Sequence, residues 1–311
     1  MRPQFSIIIF TTLAGMAQGL LFAIAFLDFP AQIFSSAFLS KIAFPVALAL
    51  LTLGLLASFF HLGRPERAWR AAMMWRTSWL SREVIALPVL MAVTFIAYLY
   101  SCTSQIQTWL WFSLLITAIV LWVCTAKIYQ CIRFIQEWSH PTTVINFTLL
   151  GLTSGWLLLC TLISLWQSND NPPTSGIMSG IAVVLLFMAL NLKIWIWRRN
   201  RELRPKSNLA SATGIKDSNL RQISMGLMGG SFNTREFFHH QTDRFIRNLR
   251  RIILLCTYIA PMILMSYAVS TPSTLLLSLA LLIHYFGLLC ERWMFFAEAN
   301  HPQNLYYQRV S

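Results

Sequence analysis

A histidine and a cluster of arginines follow an apolar segment in the stretch SFFHLGRPERAWRA, residues 58–71. Apolar segments usually end in plain polar residues, so this concentration of proton carriers and cations suggests a chemical role. The side chain of His61 titrates near neutral pH and can exchange a proton with a ligand or with water. Arg64 and Arg67 follow within one or two helical turns and can bind a carboxylate or another oxygen ligand.

A second polar pair opens the next apolar segment. Arg82 and Glu83 occur in SWLSREV, residues 78–84. Because one segment ends at His61 and the next begins near Glu83, we expect all these side chains to converge in one thin layer. Phospholipid headgroups are one set of ligands for such arginines, and in that case His61 only caps the end of a helix.

A quinone is the other ligand that these residue types fit. Oxidation of a quinol releases protons and electrons, so its site needs hydrogen-bond partners for the oxygens and an exit for the protons. His61 and Glu83 can exchange the protons, and Arg64, Arg67 and Arg82 can polarise an oxygen or hold the carboxylate. The apolar segments around them would hold an isoprenoid tail. From these residues alone, the lipid and quinone interpretations both stay open.

The composition places these residues in a membrane protein. Of the 311 residues, 56% are hydrophobic and 11% are charged, whereas about a quarter of an average soluble domain is charged. A helix needs about 17 to 25 apolar residues to cross the hydrocarbon core of a bilayer. Eight stretches satisfy this length: residues 5–27, 42–62, 84–100, 108–129, 144–166, 176–197, 252–269 and 274–290.

We therefore predict an all-α, polytopic membrane protein, a bundle of eight transmembrane helices with both termini on one side. Pro65 and the tryptophans that follow it predict a short interfacial helix after the second span. A long basic loop, residues 198–251, connects the sixth and seventh spans. The first stretch has Arg2 before an apolar core, as a signal peptide does, but its length favours a retained span.

The positive residues lie almost entirely on one side of the predicted bundle. Of the 24 lysines and arginines, 23 fall on the side of the termini, and Lys41 falls on the other. Positive residues in short loops stay in the cytoplasm, so we predict cytoplasmic termini and basic loops. The net charge of +13 reflects this asymmetry and suits anionic lipid or an acidic partner better than nucleic acid.

Partner docking is predicted on the loop of residues 198–251. It carries a dense basic run and is too poor in apolar residues to form a folded domain of its own. The alternative is a disordered basic loop. The residues assigned to docking are Arg198, Arg199, Arg201 and Arg204.

No metal or haem site is predicted in this chain. The six cysteines contain no CxxC pair, which an iron–sulfur cluster held by this chain alone would need. Of the six histidines only His284 lies deep in a span, so paired axial ligands for a haem are not evident. His284 is either functional, as ionisable residues inside membranes often are, or bonded to the backbone of a neighbouring helix.

Five stretches of the chain carry a family resemblance: FFHLGRPERAW (59–69), SWLSREV (78–84), AKIYQ (126–130), GGSFNTREFFHH (229–240) and ERWMFFAEANHPQNLYY (291–307). Together they resemble the membrane-anchor subunits of the dimethyl sulfoxide reductase family, the DmsC type. These belong to a wider group of quinone-linked anchors that includes the polysulfide reductase anchor. With eight spans at matching places, the resemblance covers essentially the whole chain.

The resemblance implies a multi-pass anchor in the bacterial inner membrane, with no haem or metal of its own. Such anchors hold a molybdopterin catalytic subunit and a four-cluster iron–sulfur subunit. They exchange electrons between menaquinol or ubiquinol and the nearest cluster. The family's functional histidine matches His61, and its carboxylate at the start of the third span matches Glu83. Arg64, Arg67 and Arg82 join this site by position alone.

Two other functions stay open. In the dimethyl sulfoxide reductase anchors the face bearing the histidine is assigned to the periplasm, whereas the charges here assign it to the cytoplasm. That pattern suits the anchor of a cytoplasm-facing sulfite dehydrogenase, which delivers electrons to quinone. A transporter or channel could use the same ionisable residues, but no matching pair of interrupted spans is evident, although Pro45, Pro88 and Pro261 lie within spans.

Overall fold

The computed structural model describes residues 3–60, 62, 64–103, 105–166, 174–205, 208–216, 220, 239–271 and 273–302. This part of the chain contains helices and no β-strand. Eight helices are long and apolar enough to cross a membrane, which confirms the predicted fold class. They are α1 (Phe5–Ala31), α2 (Ser36–Phe59), α3 (Trp79–Thr103), α4 (Thr108–Gln130), α5 (Thr142–Trp166), α6 (Thr174–Glu202), α7 (Asp243–Ser270) and α8 (Thr274–Ala297).

The eight helices form two rings of four that lie side by side. In the first ring α1 contacts α2, α2 contacts α3, α3 contacts α4, and α4 returns to α1. Helices α5 to α8 repeat this arrangement. The rings meet where α1 packs along α5 and touches α8, and where α4 touches α5. Helices α1 and α5 are therefore central, and they are the most buried of the eight.

Several helices extend beyond the apolar stretches of the sequence. Helix α3 begins at Trp79, so Glu83 lies within it, and α6 continues to Glu202. Helix α8 continues to Ala297 and includes charged residues that follow the predicted eighth span. A helix satisfies its backbone hydrogen bonds internally, so it does not have to end where the apolar residues end.

The connection between α2 and α3 contains the predicted short helix. Residues Pro65–Ala72 form a 3-10 helix with Pro65 at its first position and no buried residue. Trp69 and Trp75, both more than half exposed, provide the amphipathic rings that prefer a membrane interface. This segment packs on α3.

Helices α2 and α7 each contain a widened, π-helical turn that ends two residues before a proline. These turns are Leu39–Ala43 before Pro45 and Ile253–Ile259 before Pro261. Proline has no N–H, and its ring clashes with the carbonyl four residues earlier, so a wider turn accommodates it. In α7 this leaves the carbonyl of Thr257 without the usual donor from residue 261.

Helices α1 and α5 touch through glycine. A Cβ atom added to Gly155 would lie 2.1 Å from the carbonyl carbon of Gly19, and one added to Gly19 would lie 2.0 Å from the carbonyl oxygen of Gly151. Gly15 and Gly19 on α1, like Gly151 and Gly155 on α5, are spaced four residues apart. This spacing aligns small residues on one face and lets two membrane helices approach closely.

We expect Gly155→Ala to destabilise the protein by about 1–3 kcal/mol or more, because the added methyl group must push the α1 and α5 backbones apart. Thermal unfolding of the purified protein in detergent measures the effect. Gly180→Ala is the matched control, since no atom lies within 4 Å of a Cβ added there. Equal stability of the two variants would contradict the close backbone contact.

Candidate functional site

Glu83 is a buried carboxylate close to the start of α3. Its side chain is 6% exposed, and it lies on the face of α3 that packs against the rest of the bundle. The hydroxyl of Thr125, on α4, donates a hydrogen bond to Glu83 Oε1. A buried carboxylate of this kind can hold or release a proton when a ligand reaches it.

Arg82 points away from this carboxylate. Its Nε donates to the carbonyl of Trp75 at 2.9 Å and its Nη2 to the carbonyl of Arg76 at 2.8 Å. Its guanidinium carbon lies 4.1 Å from the centroid of the Trp79 ring. Arg82 therefore fastens the connection after the 3-10 helix to the start of α3, whereas its sequence neighbour Glu83 faces the interior.

The other predicted site residues belong to the connection between α2 and α3. Arg64 and Arg67 are exposed at the surface of the bundle, and the Arg67 N–H donates to the Arg64 carbonyl at 3.0 Å. They lie at the same end of the helices as Glu83. His61 lies outside the described residues.

An apolar groove opens between α3 and α4 beside Glu83. Its volume is about 480 Å³, and its walls are almost wholly apolar. Ala86 lies one turn after Glu83, Cys124 directly precedes Thr125, and both line the groove. The residues at its outer end are Trp75, Trp79 and Arg82. A long apolar chain with a polar head could therefore lie along α3 and α4 with its head close to Glu83.

A cluster of buried charges connects α5, α6 and α8. Lys193 Nζ lies 2.8 Å from Glu291 Oε1, and the two side chains are 2% and 0% exposed. Asn146 Nδ2 donates to the same oxygen at 3.1 Å. Arg292 Nε lies 3.7 Å from Glu291 Oε2, and its guanidinium carbon lies 3.7 Å from the centroid of the Phe147 ring. Ion pairs inside a membrane are costly to form and are typical of functional sites.

The pattern of apolar residues does not predict this cluster. The apolar stretch that predicts the eighth span ends at Cys290, so Glu291 and Arg292 are assigned to the C-terminal segment. Lys193 is assigned to the end of the sixth span. The sequence offers one signal of a buried charge: Lys193 lies within the apolar stretch 176–197 rather than after it.

His284 bonds to the backbone of a neighbouring helix. It is fully buried, and its Nδ1 lies 2.7 Å from the Thr257 carbonyl oxygen on α7. The N–H of Nδ1 donates to that oxygen, which Pro261 cannot reach because it has no N–H. This geometry matches the structural interpretation of His284, in which the side chain bonds to the backbone of a neighbouring helix.

Two stretches that carry the resemblance meet in space. Tyr129, from AKIYQ, lies with its ring centroid 5.5 Å from that of Phe295 and 5.4 Å from that of Phe296, both from the stretch that begins at Glu291. Trp138 joins this aromatic cluster and donates its indole N–H to the Phe295 carbonyl at 3.0 Å. These motifs therefore bring the ends of α4 and α8 together.

The predicted docking arginines lie at the end of α6. Arg198, Arg201 and Arg204 are exposed. Arg199 is partly buried and donates to the Gln136 carbonyl at 2.9 Å, so it holds the connection between α4 and α5. Residues 206–207, 217–219 and 221–238 of the long basic loop lie outside the described residues.

A second charged region lies at the same end of the bundle, where the start of α7 meets the end of α8. Arg250 Nη2 lies 3.1 Å from Glu298 Oε1, and both line an open pocket of about 430 Å³. Burial raises the pKa of the Glu298 carboxyl above its ordinary value, although the charges of Lys193 and Arg250 oppose the shift. Among the described residues no group of three or more His, Cys, Asp or Glu side chains could hold a metal ion.

Eight apolar helices around buried ionisable groups define a multi-pass membrane protein with a polar interior at one end. A family model described as DMSO reductase anchor subunit (DmsC) matches residues 1–298. The chain therefore belongs to the DmsC family of anchor subunits, which confirms the resemblance seen in its motifs.

Two relatives illustrate the family. The chain is 43% identical over 334 aligned positions to a sulfite dehydrogenase subunit of Allochromatium vinosum, and the alignment covers 100% of both proteins. It is 29% identical over 140 positions to the anaerobic dimethyl sulfoxide reductase chain YnfH of Escherichia coli K12, covering 43% of this chain and 49% of that protein.

We expect Lys193→Met to destabilise the protein by about 3–5 kcal/mol, because it leaves the buried Glu291 carboxylate without its closest cation. Thermal unfolding in detergent measures the change. Lys41→Met, at an exposed position, is the control and should stay within about 0.5 kcal/mol of the parent protein. Similar unfolding temperatures for both variants would argue against the buried ion pair.

Proposed function

We propose that this chain is the membrane-anchor and quinone-reactive subunit of a molybdopterin and iron–sulfur oxidoreductase. It would pass electrons between the quinone pool and an iron–sulfur subunit, which would hold four clusters and connect to the molybdopterin catalytic subunit. Membership of the DmsC family supports this function over a transporter or channel. The quinone, menaquinone or ubiquinone, is an exchangeable substrate.

The position of Glu83 carries the proposal. A carboxylate in the first turns of a membrane helix is costly unless it has a use, and this one lies beside a groove that opens between α3 and α4. The groove has the apolar walls that an isoprenoid tail requires, and Glu83 has the proton-exchanging group that a quinone head requires. The residues present therefore fit the proposed substrate.

Glu83 exchanges a proton with the quinone head in this scheme. When a quinol is oxidised, the carboxylate accepts a hydroxyl proton while the electrons pass to the iron–sulfur subunit; when a quinone is reduced, the carboxylic acid returns the proton. Thr125 stabilises the ionised form by donating its hydroxyl hydrogen to Glu83. His61, which matches the family's functional histidine, is assigned to the second oxygen. Arg64 and Arg67 are assigned to the mouth of the same site.

The direction of electron flow that we favour is from sulfite to quinone. The relative aligned over its whole length is a sulfite dehydrogenase subunit, whereas the match to the dimethyl sulfoxide reductase chain covers less than half of this chain. Of the 24 lysines and arginines, 23 lie on the side of the termini, which supports a cytoplasmic face for Glu83 and the basic loops by the positive-inside rule. The membrane would be the bacterial inner membrane.

Glu83→Gln should lower the turnover of the membrane-bound complex with quinone by about 100-fold or more, because a neutral amide cannot exchange the proton. Assembly should be normal, since glutamine keeps the size and one acceptor of the side chain. The assay is quinone-dependent electron transfer in washed membranes, with subunit content measured in parallel. Glu66→Gln, an exposed carboxylate on the 3-10 helix, is the control. Normal turnover of Glu83→Gln would remove this residue from the mechanism.

The exposed arginines at the end of α6 are proposed to dock the iron–sulfur subunit. Combined reversal of Arg198, Arg201 and Arg204 to glutamate should release that subunit from membranes, most strongly at raised ionic strength, because salt screens the remaining attraction. Arg199 is left unchanged because it bonds to Gln136. Lys41→Glu, at the opposite end of the helices, is the control. Full retention by the triple variant would assign these arginines to lipid or to membrane topology.

Purification in mild detergent tests the proposed assembly as a whole. We expect a molybdenum-containing subunit and an iron–sulfur subunit to co-elute with the chain, and sulfite to reduce quinone in the purified complex. Reduction of dimethyl sulfoxide by quinol, without sulfite oxidation, would instead support the reductase form. A chain that elutes alone, without molybdenum or iron, would contradict the anchor function.

A further inference from the structure

A small cavity lies between α1, α4, α5 and α8, one side chain away from Glu83. Its volume is about 10 Å³, which is about the smallest space that can hold a single water molecule. Thr125 lines this cavity and also donates its hydroxyl hydrogen to Glu83. The cavity and the candidate quinone site therefore share one hydroxyl group.

Three buried residues that line this cavity carry polar atoms without a hydrogen-bond partner in the described part of the chain. Gln18 is 1% exposed, and Trp122 and Arg292 are each 3% exposed. The atoms concerned are Gln18 Oε1, Trp122 Nε1 and Arg292 Nη1, whereas Arg292 Nε faces Glu291 Oε2 at 3.7 Å. Buried polar atoms are nearly always hydrogen-bonded in folded proteins, because an unpaired one destabilises the fold.

The kinds of atoms at the cavity match a water molecule. The indole of Trp122 and the guanidinium of Arg292 can only donate, whereas the amide oxygen of Gln18 accepts. The Thr125 hydroxyl directs its hydrogen to Glu83 and so keeps its lone pairs for a donor in the cavity. A water molecule accepts two hydrogen bonds and donates two, which satisfies these four groups together. An anion would leave the Gln18 oxygen unpaired, and a cation would leave both donors unpaired.

Thr125 differs from other threonines of the membrane helices. Thr94, Thr117 and Thr153 donate to the carbonyl four residues earlier in their own helix, as helical threonines commonly do. Thr125 donates across the helix interface to Glu83. A hydrogen bond donated to its oxygen from the cavity would favour this arrangement, because it makes the hydroxyl a stronger donor.

We propose that this cavity binds one water molecule and that the water, held by Gln18, Trp122 and Arg292, orients the Thr125 hydroxyl toward Glu83. The role of the water rests on the proposed function, in which Glu83 exchanges a proton with a quinone. Gln18, Trp122 and Arg292 are then positioning residues, which act on Glu83 through the water and Thr125. None of the three lines the apolar groove, so they should affect proton exchange and not quinone binding.

A cryo-electron microscopy map of the solubilised complex, at a resolution where ordered water is visible, tests the site directly. We expect a density peak within hydrogen-bond distance of Gln18 Oε1, Trp122 Nε1 and Thr125 Oγ1. A map that shows other internal water molecules but no peak here would overturn the proposal, whether or not the complex reacts with quinone.

The role of the water is tested by Trp122→Phe and Gln18→Leu, which remove one hydrogen-bonding group each. We expect kcat for quinone-dependent turnover to fall by about 5- to 30-fold, the effect of losing one or two hydrogen bonds, with KM for the quinone unchanged. The matched control is Trp156→Phe. Trp156 is buried like Trp122, but its indole N–H donates to the Met178 carbonyl at 2.9 Å and not to the cavity, so its kcat and KM should both match the parent complex.

Glu83→Gln, measured beside these variants, separates this proposal from the proposed function. Loss of turnover in Glu83→Gln, with Trp122→Phe and Gln18→Leu behaving like Trp156→Phe, would overturn the role of the water and leave the quinone site standing. Normal turnover in Glu83→Gln would overturn both the role of the water and the proton exchange between Glu83 and the quinone. If Trp122→Phe fails to accumulate in the membrane, Gln18→Leu provides the same comparison with the tryptophan packing intact.

Discussion

Helices α1 and α5 touch through their backbones at Gly19 and Gly155, and the two four-helix rings are built around this contact. Association of helices in lipid gains nothing from burying apolar surface, so close packing must supply the attraction. Larger residues at these glycines would separate the rings and open the interface between them. Gly151 has a further effect, because the absence of a side chain there leaves room for the Trp122 indole, 2.5 Å from where a Cβ would lie.

Two buried carboxylates, Glu83 and Glu291, lie toward one end of the bundle. Glu83 is close to the start of α3 and Glu291 is close to the end of α8, so both lie in the half of the bundle nearest the basic connections. Each carboxylate has its own partners: Glu291 has Lys193 and Asn146, and Glu83 has Thr125. Satisfying them ties α3 to α4, and α5 to α6 and α8. These contacts act together with the aromatic cluster of Tyr129, Trp138, Phe295 and Phe296 at the same end of the bundle.

Much of this architecture could be predicted from the sequence, because the membrane restricts what can cross it. Composition and segment length predict eight helices, and a single carboxylate at the start of an apolar stretch indicates Glu83. The direction of a side chain is harder to predict: Arg82 and Glu83 are adjacent, yet successive residues of a helix point about 100° apart, so one faces Trp79 and the other faces Thr125. The Lys193–Glu291 pair joins residues 98 apart in sequence, and no local pattern specifies such a contact.

The separation of Arg82 from Glu83 also explains how one helix can serve two environments. The groove side of α3 carries Ile85 and Val89 beside Arg82, and the interior side carries Glu83, Leu87 and Leu90, all buried. An apolar ligand lying in the groove would stay in contact with lipid, whereas the proton it exchanges would enter the polar interior. Because Ala86 lines the groove one turn after Glu83, only the head of the ligand would have to pass between α3 and α4 to reach the carboxylate, while its tail stayed in the groove. The charges at Glu291 and Lys193 would then remain out of contact with lipid throughout the reaction.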